Sequence, residues 1–324
     1  MMNPKAIAIL GMHRSGTSLI TRVLNLMGAY LGEEKDLMKP SPDNPEGYWE
    51  REDIALLNDR ILQHLSLSWH TPLPPPDGWL KEVEGFKKDI QELIQKHLVD
   101  KPLWAWKDPR TTILFPLWKD AIKELGVKLS VVFVVRGPLD VARSLQRRDG
   151  FSTNKGLGVW FNYNLCGLLS TGGVPTVVVS YDRFLVSWKE EVARLNSALG
   201  IVAEDDESLY ERVKGAIRQD LRHSATTMEE LKSADTPYAV VELYEFIEGL
   251  SKKSEPLCDI ADNPLLKRLA REFFTYARFY EEDMKEALRL RDIESQLNAV
   301  LNSKSWKITE PLRRIMDVLK KMER

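Results

Sequence analysis

Apolar positions along the chain fall into two alternating rhythms. Residues 6–10 form an unbroken apolar run that ends at Gly11, after which the pattern turns helical through Leu24 and Met27. Ile54, Leu57, Ile61, Leu62 and Leu65 mark an amphipathic helix, and residues 79–98 read as another. Residues 103–107 are a second strand, followed by a helix carrying Leu114, Leu117, Ala121 and Leu125. Residues 129–135 are β-branched and almost wholly apolar, as a central parallel strand buried on both faces should be. Pro138 opens the next helix, residues 156–169 continue in helical period, and residues 174–181 form a fourth strand. From there to about residue 280 the pattern is mainly helical, interrupted near Arg222 and Pro256. Strands alternating with helices predict an α/β fold in three layers, with a central parallel sheet flanked by helices. Such sheets bind ligands at the carboxyl ends of their strands.

Between these elements, residues 32–50 resist regular structure because Pro40, Pro42 and Pro45 interrupt them. The segment is long for an idle connection and rich in aromatics and acids, which marks it as a functional loop. Pro72, Pro74, Pro75 and Pro76 break the chain again. The chain has 324 residues, 43% hydrophobic and 29% charged, and a net charge of −2. That composition describes a globular protein with a sizeable core and no global field for nucleic acid. The two cysteines, Cys166 and Cys258, lack metal-ligand spacing and exclude a disulfide framework. With no leader-like segment and no long apolar span, the expected setting is cytoplasmic.

The first strand leads into Gly11-Met-His-Arg-Ser-Gly-Thr-Ser18, a tight turn at a helix N-terminus. Such a turn aims backbone N–H groups and the positive end of the helix dipole at one point, which suits a phosphate. Gly11 and Gly16 have the spacing of a Walker A loop, yet Thr17 stands where its lysine belongs. The cation lies inside the loop instead, as Arg14, with His13, Ser15, Gly16, Thr17 and Ser18 completing the cradle. The third strand ends at Arg136, and Ser144 follows two helical turns later, a pair suited to a second phosphate.

These two motifs resemble those of the sulfotransferases that use 3′-phosphoadenosine 5′-phosphosulfate (PAPS). The 5′-phosphosulfate loop of that family is similar to residues 11–18, and its 3′-phosphate motif places an arginine and a serine as Arg136 and Ser144 stand here. Lys107 resembles the family's catalytic lysine, and Tyr181-Asp182 its tyrosine–acid pair near the adenine. Residues 44–50 (NPEGYWE) and 106–110 (WKDPR) are similar to motifs of bacterial members of the superfamily. The resemblance covers residues 5–199, with an echo at Leu221-Arg222-His223. It departs at Arg14, where many eukaryotic cytosolic members carry lysine. It implies a P-loop-type fold and transfer of a sulfuryl group from PAPS to a hydroxyl or amine of a carbohydrate or glycolipid, leaving 3′,5′-adenosine bisphosphate.

On that basis Arg14 and Lys107 stabilise charge on the bridging oxygen, while His13, the loop hydroxyls, Arg136, Ser144, Tyr181 and Arg222 hold the nucleotide. Glu50 is the first candidate for the base, with Glu46 and Asp108 as competitors. Arg110, Tyr48 and Trp49 are candidates for the acceptor site; for Arg110 a simple pair with Asp108 weighs equally. No metal is expected, because the arginine at the third strand tip would repel one. Two other classes stay open. A P-loop nucleotide kinase lacks the Walker lysine it needs, and a binder without turnover would not need Arg14, Lys107, Arg136 and Ser144 together.

The organisation expected is a PAPS-binding domain over residues 1–282 and a helical C-terminal extension over residues 283–324. Leu290, Ile293, Leu297 and Val300 repeat at helical spacing, too briefly to establish a coiled coil. Leu312, Ile315, Met316 and Leu319 form a second apolar face flanked by Arg313, Arg314, Lys320 and Lys321. That tail packs on its own domain or docks peripherally on an anionic membrane or a partner. No nucleic acid is expected as partner, and the sequence leaves the oligomeric state open.

Overall fold

A computed structural model describes residues 4–41, 44, 47–201, 207–217 and 226–310. The chain divides into two compact units, Met1–Phe274 and Thr275–Arg324. The first opens with β1 (Lys5–Leu10), α1 (Thr17–Leu26), α2 (Glu52–His64), α3 (Trp79–Glu82) and α4 (Phe86–His97). It continues with β2 (Leu103–Lys107), α5 (Thr111–Glu124), β3 (Lys128–Val135), α6 (Pro138–Asp149), α7 (Thr153–Ser170) and β4 (Thr176–Ser180). Then come α8 (Tyr181–Val186), α9 (Trp188–Leu199), α10 (Glu207–Ala216), α11 (Met228–Ser233), α12 (Tyr238–Ser251) and α13 (Pro264–Phe279). The boundary falls within α13, and the second unit continues with α14 (Glu281–Asn302) and α15 (Lys304–Ile308). Leu290, Ile293, Leu297 and Val300 lie on α14, whereas the apolar face at 312–319 lies outside the described residues. No helix among the described residues is long and apolar enough to cross a membrane.

The four strands form one parallel sheet in the order β2-β1-β3-β4. The period-2 alternation of strand side chains sorts their apolar residues between two cores. Ala6, Ala8, Leu10, Trp104, Trp106, Val131, Phe133 and Val135 face one core, closed by α2 and α4 to α7 together with α12. Ile7, Ile9, Ala105, Val132 and Val134 face the other, closed by α1, α9 and α10. Helices on both faces explain why β3 is apolar at successive positions rather than at alternate ones. Trp106 stacks on Trp118 of α5 with ring centroids 5.5 Å apart. Burying such side chains stabilises the fold by about 1.5–3 kcal/mol each.

One helix expected over residues 79–98 is two, α3 and α4, separated by a turn that contains Gly85. Glycine has the lowest helix propensity after proline, and here it interrupts an otherwise continuous amphipathic pattern.

Chain order runs from β1 outward to β2 and then back across β1 to β3, so the connections diverge between β1 and β3. A crevice opens at such a switch point. Gly11 makes the crevice possible, since a Cβ there would lie 2.5 Å from the Val134 carbonyl oxygen. Thr112, buried at the start of α5, receives the Gly11 N–H at 2.8 Å and donates to the Gly11 carbonyl at 3.1 Å. One hydroxyl thus pins the point where β1 becomes the loop. Thr112→Val leaves the buried Gly11 N–H unpaired and should destabilise the chain by about 1–3 kcal/mol in denaturant unfolding. An unchanged unfolding midpoint would remove Thr112 from that role.

Candidate active site

The strand ends of β1, β2 and β3 open into a cavity of about 610 Å³. His13, Arg14 and Gly16 border it from the β1–α1 loop, Thr17 and Ser18 from the start of α1, Lys107 from β2, Arg136 from the end of β3, Ser144 from α6 and Tyr181 from α8. Arg14 has φ 68°, a left-handed conformation that a side-chain-bearing residue seldom adopts. That backbone sends its guanidinium across the crevice, where Nε donates to Ser144 Oγ at 3.0 Å. In return an Arg136 guanidinium nitrogen donates to the Arg14 carbonyl at 3.4 Å. The β1–α1 loop and the segment of Arg136 and Ser144 are therefore one hydrogen-bonded unit. Arg136 also lies over the Tyr181 ring at 5.0 Å, and Gly16 passes so close beneath that ring that a Cβ would overlap it.

Across the loop, Lys107 Nζ pairs with the Glu50 carboxylate and donates to Ser18 Oγ at 3.3 Å. Both partners are buried. Ser18 Oγ in turn donates to the Tyr48 carbonyl at 3.3 Å, and Tyr48 Oη bonds Ser41 Oγ. The Met38 N–H donates to the Glu50 carbonyl at 2.8 Å. Arg51, only 2% exposed, holds the far end of this loop through Asp36 at 3.3 Å and Asp53 at 2.7 Å. The carboxylate of Glu50 is thereby delivered to the tip of β2 by anchors on both of its flanks.

Burial pushes the Glu50 carboxyl above its ordinary value of 4.5, and Lys107 pulls against that rise. His13 moves the other way. Burial, then the charges of Arg110, Arg148, Lys107 and Arg14, hold its imidazole well below 6.5, so it is neutral at pH 7. Its ring packs 4.5 Å from Trp69 and 6.0 Å from Tyr163. His13 Nε2, Ser15 Oγ and Arg136 Nε are buried atoms without a hydrogen-bond partner. Buried polar groups are rarely left so, and these three belong to the loop and the strand tip that face the cavity.

Asp108 and Arg110 stand elsewhere. The Asp108 carboxylate is fully buried and accepts the Arg110 N–H at 2.8 Å, the Arg110 guanidinium at 2.7 Å and the Asn58 amide at 3.2 Å. Arg110 bridges further to Asp59 at 2.6 Å, and these acids raise its pKa. Neither residue borders the cavity. Tyr48, Trp49 and Glu50 do. Glu46, Arg222 and His223 lie outside the described residues. Sequence reasoning missed Arg51, Asn58 and Thr112, whose roles arise from partners distant in the chain. It also missed Arg22 and Arg148, two cations that border the cavity from α1 and α6.

No family model and no curated protein matches the chain. Among solved structures it is similar to the sulfotransferase domain from the Synechococcus PCC 7002 olefin synthase, at 19% identity and a TM-score of 0.42, over 78% of this chain and 97% of that one. It is similar also to the sulfotransferase domain from the curacin biosynthetic pathway, at 15% identity and a TM-score of 0.38, over 84% of this chain and 98% of that one. The chemistry of the site is read from its own residues.

Because the folded-state value of Glu50 lies above 4.5, its protonated form favours the fold at low pH, and that contribution is lost as pH rises through the raised value. In carbon-13 glutamate spectra Glu50 should titrate above the exposed glutamates. Lys107→Met, which removes the opposing charge, should move its midpoint higher still. A midpoint that stays or falls in the variant would contradict the pairing.

Proposed function

We propose that the chain is a sulfotransferase that takes its sulfuryl group from PAPS and passes it to a hydroxyl or amine of a carbohydrate or glycolipid. The observation that carries this reading is the joining of two anion motifs, Arg14 with its loop and Arg136 with Ser144, at the rim of one cavity. A donor with a phosphosulfate at one end and a separate phosphate at the other calls for such a pair. The orphaned buried atom Arg136 Nε supplies a donor at the cavity, beside Ser144.

When bound, PAPS supplies an electrophilic sulfur and a stable bisphosphate leaving group. The chain's own residues do the rest. The N–H groups of the β1–α1 loop, the start of α1, Ser15, Thr17 and Ser18 hold the 5′ end. Arg136 and Ser144 hold the 3′-phosphate, with Tyr181 beside them. Arg14 and Lys107 stand ready to balance charge growing on the bridging oxygen, already oriented by Ser144, Glu50 and Ser18. Glu50, raised by burial, receives the acceptor proton, and its pair with Lys107 keeps the carboxylate aimed at the strand tips. His13 serves as a neutral hydrogen-bonding group. Asp108 and Arg110 act at a distance by fixing the turn after β2. The reaction proposed uses no metal. The cavity's acid, Glu50, is engaged by Lys107 rather than offered to a cation, which also disfavours a magnesium-dependent kinase. The acceptor class and a bacterial, polysaccharide-building setting rest on the sequence resemblance.

Arg136→Ala should weaken binding of 3′,5′-adenosine bisphosphate by about tenfold or more, the worth of a charge-assisted bond. Adenosine 5′-monophosphate, lacking the 3′-phosphate, should lose far less. Equal losses for the two nucleotides would refute the assignment of Arg136.

A further inference from the structure

Among the described residues, six arginines and Lys107 border the cavity against one carboxylate, Glu50. The donor proposed above carries about four negative charges, so roughly two positive charges exceed what it neutralises. Among these cations Arg22 is set apart by resting on the residue next to Glu50. It is half-buried, and its contacts are the Asn25 side-chain oxygen at 2.9 Å and the face of Trp49, whose ring centre lies 4.6 Å from the guanidinium carbon. No carboxylate among the described residues meets it, and Arg136, Arg147 and Arg212 likewise meet none. Arg148, by comparison, shares Asp149 at 2.9 Å.

The platform beneath Arg22 is unusual. Trp49 has φ 57°, a left-handed backbone that is a genuine outlier for so bulky a residue. Such strain persists where the surroundings impose it. Here the bonds of Tyr48 to Ser41 and Ser18 and of Glu50 to Met38 impose it from both sides. The result puts the indole under Arg22 and the next side chain, Glu50, on Lys107. Arg22 also lies one helical turn beyond Ser18, the hydroxyl that Lys107 contacts, and so on the same face of α1. An uncompensated guanidinium thus stands on the residue preceding the proposed base.

We infer that the acceptor carries a negative charge and that Arg22, braced on Trp49, anchors it. This rests on the sulfotransferase reading. The chemistry that fits is a carboxylate, phosphate or sulfate group on the acceptor, gripped by two guanidinium N–H groups while the neighbouring hydroxyl faces Glu50. Arg22 then acts as a specificity-determining residue.

The test uses the full chain with labelled PAPS and three matched probes, glucose, glucuronate and glucose 6-phosphate, in transfer assays and in calorimetry on the bisphosphate-loaded protein. The charged probes should bind and be sulfated at least about tenfold better than glucose. Arg22→Gln should erase that preference with bisphosphate affinity unchanged, and Arg22→Lys, which keeps the charge, should restore part of it. Glucose performing as well as the charged probes, a preference that survives in Arg22→Gln, or a loaded protein that binds neither charged probe would each overturn the inference. Failure of the sulfotransferase reading is distinguishable, because the wild-type chain would then not bind the bisphosphate at all.

Discussion

Cations gathered round a single cavity repel one another, and the fold must hold them there against that repulsion. The switch point between β1 and β3 sets their positions, since β2, β1 and β3 end side by side and each sends one basic residue forward. Local contacts then fix the geometry. Arg14 is tied to Ser144, Arg136 to the Arg14 carbonyl and the Tyr181 face, and Lys107 to Glu50. Each tie is weaker than the interaction a bound polyanion would make, so the site is organised in advance without being neutralised.

The Lys107–Glu50 pair is the exception. Burying two ions costs several kcal/mol of desolvation each, and their attraction offsets this only when both are well placed. Arg51 answers that requirement from a distance, by fastening the loop that carries Glu50 to Asp36 and Asp53. The strain at Trp49 belongs to the same arrangement, because the chain must turn sharply there for Glu50 to reach β2. Positioning one carboxylate therefore draws on the whole segment from Asp36 to Asp53.

Much of this was legible in the chain alone. The apolar run of β3 and the turn after β1 announce a parallel sheet and a strand–loop–helix, because both depend on residues adjacent in sequence. The strand–turn–helix that carries Arg136 and Ser144 was legible for the same reason. Thr112, Asn58 and Arg51 were not, since each acts through partners that only folding brings near. Asp108 and Arg110 show the limit from the other side. Their spacing reads equally as catalysis or as a local cap, and only the burial of Asp108 against Asn58 and Arg110 distinguishes them. Arg22 carried no motif at all, and its interest arises from the indole beneath it and the missing acid beside it.

The central claim is that this crevice is built for a nucleotide with two separate anionic ends and needs no metal to hold it. Calorimetric titration of the wild-type chain with 3′,5′-adenosine bisphosphate in EDTA, beside ATP with magnesium, tests it directly. Tight metal-free binding of the bisphosphate with weak binding of ATP is the result expected. Tight magnesium–ATP binding with none of the bisphosphate would contradict the account and return the site to a kinase.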